Sequence, residues 1–282
     1  MIFILDFFKM KVKSALKKSF IKRTQAIELI LKKPAAKFKM EDFHQLRVEI
    51  KKIKAQFNLL NYCTSDFERK KYLKSYNSIF KQAGKVRELQ LEEEALKKYA
   101  LYQGLKRYIT NLKIIGKEEK KIFFLNIDKK LFSKFIKTNK KVSAFIKEVK
   151  KKNVNRFMNK KRKKIQMLLN IKHLKLSQVH KLRKLVKEYY HDWQSLNLPG
   201  QQKMMNEVDD FQDLLGKWHD RIIIKEHLKK AMKDMDKIAP FETRQLNEII
   251  TKLSSECNEL FRKINTGIHK KKALQSFISA SF

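Results

Sequence analysis

The chain has 282 residues, enough for one large core or two small ones packed together. Its 67 Lys and Arg against 29 Asp and Glu give a formal net charge of +38, far beyond what solubility requires, which points to a polyanionic partner unless the lysines merely decorate solvated helix faces. Six glycines and three prolines leave little for a glycine-rich phosphate cradle and predict long helices, while two cysteines, Cys63 and Cys257, exclude a disulfide framework and favour a reducing compartment.

The opening MIFILDFFKMKVK is interrupted by Asp6 and lacks a preceding basic region and a cleavage site, so it reads as helix rather than signal peptide. That helix is expected over residues 2–33, with a break near Lys17, and ends at Pro34. No stretch approaches the roughly 18 apolar residues of a membrane span. A second helix is expected from Glu41 to Tyr62 with Asp42 as its cap. In it Phe43, Leu46, Ile50, Ile53, Phe57 and Leu60 form one apolar stripe, and His44, Arg47, Lys51 and Lys54 form a cationic stripe one residue further round. A third helix, 66–82, is expected to pack through Tyr72, Ile79 and Phe80 and to break at Gly84. Residues 86–113 resume the helical pattern, with Glu92, Glu93 and Glu94 pairing with nearby lysines. Residues 115–138 contain the strand-like run IFFLNIDKKLF, read as helix because the surrounding chain is helical.

A helix over 141–169 opens the second half and carries VKKKNVNRFMNKKRKK, the densest positive charge in the chain. The next, from Ser177 to Asn197, stops at Pro199–Gly200. Its Val179, Leu182, Val186, Tyr189, Trp193 and Leu196 repeat the apolar stripe, and His180, Arg183 and Lys187 repeat the cationic one, all 136 residues after the first set. Two matching stripes at one offset predict an internal duplication with a boundary near 130–140. One or two helices are expected over NEVDDFQDLLGKWHDRIIIKEHLKK, then a last one through Leu246, Ile249, Ile250, Leu253, Leu260 and Phe261, with a frayed tail after Thr266.

The runs HQLRVEIKKIK and VHKLRKLVKEY resemble the paired HxxRxxxK signatures of the CHAD family, named for its histidines and helices. AGKVRE at 83–88 and LGKWHD at 215–220 fall where that family has a small-residue turn followed by a basic and an acidic residue. The resemblance implies a single all-α domain made of two pseudo-symmetric helical-bundle lobes, about 1–136 and about 137–282, whose basic faces bind inorganic polyphosphate. The residues it singles out are His44, Arg47, Lys51, Lys52 and Lys54 with His180, Arg183, Lys184 and Lys187. The second copy departs from the first where Tyr190 replaces Lys54 and Glu188 replaces Lys52, so Lys150, Lys151, Lys152 and Arg156, or the run 160–164, are expected to compensate. His219 stands where Arg87 stands in the first copy.

Three cations within about two turns repel one another by about 0.7 kcal/mol per pair, taking about 6 Å and the dielectric of water, so their clustering favours a bound anion over a solvated face. Arg supplies a planar fork for phosphate oxygens and Lys a point charge, a mixture suited to a chain of phosphates. Val48 and Lys184 stand four residues after the two histidines, which excludes an HExxH zinc site, and no metal or cofactor is expected. A nucleic-acid-binding protein competes on charge alone, but no zinc-finger or RNP signature is present and the aromatics fall in apolar stripes. A phosphoanhydride-processing enzyme competes through the company CHAD-like domains keep, but neither ExExK nor a P-loop occurs. The expectation is therefore a non-catalytic polyphosphate binder, cytoplasmic and associated with polyphosphate granules, with nonspecific nucleic acid as a secondary partner and the oligomeric state open.

Overall fold

The computed structural model describes residues 2–99, 104–197, 202–234, 240–270 and 275, with side chains placed from residue 12 onward except at 202–205, 207, 234 and 268–270. The expected stop at Pro199–Gly200 and most of the tail lie outside the described residues. Among the described residues the chain is all-α. Its helices are α1 (Ile2–Leu31), α2 (Met40–Cys63), α3 (Arg69–Tyr72), α4 (Lys74–Leu96), α5 (Lys106–Asn126), α6 (Lys129–Ile146), α7 (Lys151–Leu169), α8 (Leu176–Ser195), α9 (Gln202–Asp234) and α10 (Pro240–Lys270).

The two stripe-bearing helices, α2 and α8, begin at the same 136-residue offset and are started by the same chemistry. The Lys39 backbone N–H donates to Asp42 Oδ2 at 2.7 Å, and the Lys175 N–H donates to Gln178 Oε1 at 2.7 Å. Asp42 is thus the third-residue partner of a capping box rather than the cap itself, and it also accepts from Lys33 Nζ at 2.6 Å, which fixes the end of α1 against the start of α2. All six apolar residues of the α2 stripe are buried, as are Val179, Leu182, Val186 and Tyr189 of α8.

Several expected boundaries differ. No break occurs near Lys17, because Leu16, Phe20 and Ile27 keep one buried face through it. The third helix divides at Leu73 into a single turn, α3, and a new helix, α4, that runs straight through Gly84 to Leu96. Ala83 and Val86 remain on the buried face there, and the missing Cβ of Gly84 serves a close side-chain approach instead of a turn. The acidic patch splits: Glu93 pairs with Lys97 and Glu94 with Arg87, whereas Glu92 is buried, accepting from the Tyr108 hydroxyl and facing His227 Nδ1 at 3.4 Å. The strand-like run is a helix, a cap and a second helix, with Asp128 accepting from the Leu131 N–H at 2.6 Å to start α6. The stretch 130–140 lies inside α6, and the helix expected over 141–169 divides around buried Val149 into the end of α6 and α7. In the last helix the regular geometry continues past Thr266 to Lys270.

The main buried cluster draws on both halves of the chain, from Leu16 and Phe20 through Phe57 and Tyr76 to Val186, Trp218 and Ile264. A smaller cluster joins Leu96, Leu105, Leu228, Leu246 and Ile249 where α4 and α5 meet α9 and α10. Helix α2 is central, packing against α1, α4, α7 and α8.

Candidate anion-binding groove

Helices α2 and α8 pack against each other. Gln56 Nε2 of α2 donates to Ser195 Oγ of α8 at 3.1 Å, and one turn earlier on both helices the charge of Lys52 bears on His191. This arrangement brings the two cationic stripes together. Lys51 feels Lys187 and Arg183 of α8 as well as Arg47 of its own helix, and His44 feels Lys51, Lys187 and the Arg87 of α4.

The walls are supplied by α4 and α9. Arg47 Nη1 donates to the Phe80 carbonyl at 3.2 Å, and its guanidinium carbon sits 4.4 Å from the centre of the Phe80 ring. Its Nη2 lies 3.8 Å from Glu88 Oε1. A Cβ on Gly84 would stand 2.0 Å from Arg47 Nη1, so glycine is what lets the guanidinium lie against α4. Lys54 Nζ rests 3.7 Å over the same Phe80 ring. On the other side the His180 ring lies tilted 4.6 Å from Trp218 and edge-on 5.6 Å from His219, and Arg183 feels the carboxylate of Asp220. Glu88 and Asp220, the acidic ends of AGKVRE and LGKWHD, therefore stand beside Arg47 and Arg183 respectively.

Burial and mutual repulsion set the protonation of the cluster. The Lys51 ammonium is pushed down to about 7, first by burial and then by Lys187, Arg47 and Arg183, with Asp220 opposing. Burial likewise lowers Lys187, and Lys54 falls to about 8 through burial, Arg47 and Arg69. Both motif histidines are lowered, His44 and His180 alike by burial first and then by surrounding cations, which overcome Glu41 at His44. Burial raises the Asp220 carboxyl, but His219, whose Nδ1 lies 3.6 Å from it, and the charges of Arg183 and Lys51 outweigh that and hold it low.

The other expected residues are placed differently. Lys52 pairs with Glu49 at 3.0 Å, and Glu49 also takes Arg23 of α1 at 3.3 Å. Lys184 is exposed, one turn beyond His180. Lys151, Lys152 and Arg156 lie on α7, whose N-terminal Asn153 donates to the Cys63 carbonyl, roughly 18 Å along α2 from Lys51 at 1.5 Å per residue. From the run 160–164, Lys161 is removed by a buried pairing with Asp192 at 2.6 Å and Glu188 at 3.2 Å, and Lys160 Nζ lies 5.6 Å over the Tyr62 ring. Of the α7 cations, Lys161 is thereby taken up in a structural pair at the far end of the second stripe. Phe80, Trp218 and the α1 residue Arg23 were not legible as parts of the groove, since each reaches it from a helix other than the two that carry the signature. Among the described residues no group of three or more His, Cys, Asp or Glu side chains is arranged to hold a metal, and no helix is long and apolar enough to cross a membrane.

An all-helical protein with two basic motif helices joined along one groove is the class that fold and site define. The chain belongs to the CHAD-domain family, whose model matches residues 24–229. Its fold is similar to that of the CHAD domain from the plant Ricinus communis, with a TM-score of 0.71, 13% identity and 93% of each chain covered. It is also similar to PptA from Streptomyces chartreusis, with a TM-score of 0.68 and 12% identity over 93% of this chain and 98% of that one. No curated protein matches the sequence.

Proposed function

We propose that this protein binds inorganic polyphosphate along the groove between α2 and α8, without catalysing a reaction on it. The observation that carries the reading is the buried meeting of Lys51 and Arg47 with Lys187 and Arg183, which Glu88, Asp220 and Asp213 offset only in part. Like charges so placed weaken the free protein and favour a ligand with repeated negative charge. From His44 to Lys54 the first stripe spans about 15 Å, so it addresses several consecutive phosphates instead of one. The family resemblance drawn from the motifs implies the same ligand, and the repeat of stripes and helix starts at one offset of 136 residues, with the acidic anchors Glu88 and Asp220 following 132 residues apart, supports two lobes sharing one site. A cytoplasmic place at polyphosphate granules is part of the same proposal.

The test is competition at physiological salt between long-chain polyphosphate and double-stranded DNA of matched charge, with Arg47→Ala, Arg183→Ala and Lys141→Ala compared. Lys141 is exposed on α6, away from the groove. Polyphosphate should win, and each arginine change should weaken it about tenfold or more while Lys141→Ala changes it less than about threefold, because only the arginines are ordered to give charge-assisted contacts. Tighter binding to DNA, or equal losses in all three variants, would leave only nonspecific attraction.

A further inference from the structure

We infer that the groove has one closed end, where His191 of α8, Lys52 of α2 and Arg23 of α1 form a seat for a terminal phosphoryl group. The inference rests on the polyphosphate reading and adds a direction to it. His191 is 7% exposed, and neither ring nitrogen has a hydrogen-bond partner. A buried polar group left this way costs about 1–3 kcal/mol, so an occupant that satisfies it is favoured. The charges that bear on it most are cationic: Lys187 from its own helix, Lys51 and Lys52 from α2 and Arg23 from α1. Burial and these charges hold the imidazole down at about 3, so at neutral pH one ring nitrogen donates and the other accepts. Glu49 is the carboxylate interposed there, and it already serves both Arg23 and Lys52. Arg23 Nε is also buried without a partner.

The floor lies one turn further along all three helices. Gln56 Nε2 donates to Ser19 Oγ of α1 at 2.8 Å and to Ser195 Oγ of α8 at 3.1 Å. Ser19, Gln56 and Ser195 are each four residues from Arg23, Lys52 and His191, so they form the next layer and close it. A phosphate chain cannot pass through such a layer, but it can end against it. A terminal phosphoryl group carries up to two negative charges near neutral pH, its second pKa lying near 6, and an internal one carries a single charge. The end group is therefore the better match to four basic side chains that share one carboxylate, Glu49. In the first copy the position equivalent to His191 is Ala55, so the seat exists once and polyphosphate would lie in the groove with one end fixed.

Calorimetry on the full chain with linear tripolyphosphate, inorganic phosphate and cyclic trimetaphosphate, which has no end group, tests this. His191→Phe fills the same space without polar atoms and should keep or raise stability. It should weaken tripolyphosphate about tenfold and leave trimetaphosphate unchanged. Independently of how the variant folds, the ring nitrogen resonances of His191 in the unaltered protein should shift with tripolyphosphate and stay still with trimetaphosphate. Equal effects of the linear and cyclic anions would overturn the seat, as would a response to inorganic phosphate with none to tripolyphosphate, which would make it a free-phosphate site. Binding with His191 silent throughout would assign it to packing around buried water. An unaltered chain that binds none of these anions nor long-chain polyphosphate would remove the polyphosphate reading itself.

Discussion

Gly84→Ala and Gly216→Ala should act differently, because the glycines of AGKVRE and LGKWHD meet different surroundings. A Cβ on Gly84 would lie 2.0 Å from Arg47 Nη1 and 3.2 Å from its Cζ, whereas one on Gly216 meets nothing within 4 Å. The Arg47 guanidinium must swing away, losing its hydrogen bond to the Phe80 carbonyl and its place over the Phe80 ring. Those contacts are worth about 1.5–3 kcal/mol for the charged hydrogen bond and about 0.5–2 for the cation–π contact. Alanine in a helix interior returns about 1 kcal/mol over glycine. Gly84→Ala should therefore destabilise the protein by about 1–4 kcal/mol, while Gly216→Ala stabilises it by about 1 kcal/mol. Urea denaturation of both variants measures the difference, and calorimetry with long-chain polyphosphate should show about a tenfold loss for Gly84→Ala alone. If the two alanines shift stability equally and leave affinity untouched, the reading of Gly84 as the berth of Arg47 is refuted.

The depressed His44, His180 and Lys51 groups bear fewer protons in the free protein than they would beside a polyanion, so binding takes up protons and should strengthen as pH falls from about 8 to 6. The triple change His44→Gln, His180→Gln, Lys51→Met should flatten that slope for long chains, whose end groups contribute little, and an unaltered slope would assign all three to structure. Asp192, fully buried against Lys161 Nζ at 2.6 Å, should cost about 3–5 kcal/mol when replaced alone by leucine, because the ammonium is left without its buried partner. Adding Lys161→Met should restore most of that loss in denaturant titrations, and a double variant no better than the single one would contradict it.

The stripes, the starts of α2 and α8 and the excess of positive charge were all present in the sequence, since a helical period is written locally and one turn of chain suffices to read it. Phe43, Leu46 and Ile50 could have no other place than the core once their spacing was seen. The ends of helices were harder: Gly84 looked like a break and is a contact, and the run around Asp128, read as helix, is two helices with a cap between them. What the groove consists of was decided only in three dimensions. Periodicity orders residues round one axis but does not say which neighbouring helix each will face. Lys51 beside Lys187, Arg47 on Phe80, and Lys161 withdrawn into a pair with Asp192 depend on contacts between helices far apart in the chain. The same cationic residue type thus becomes a groove wall at position 51 and a buried structural partner at 161, because burial and the partner's charge, rather than the residue's own identity, set its role.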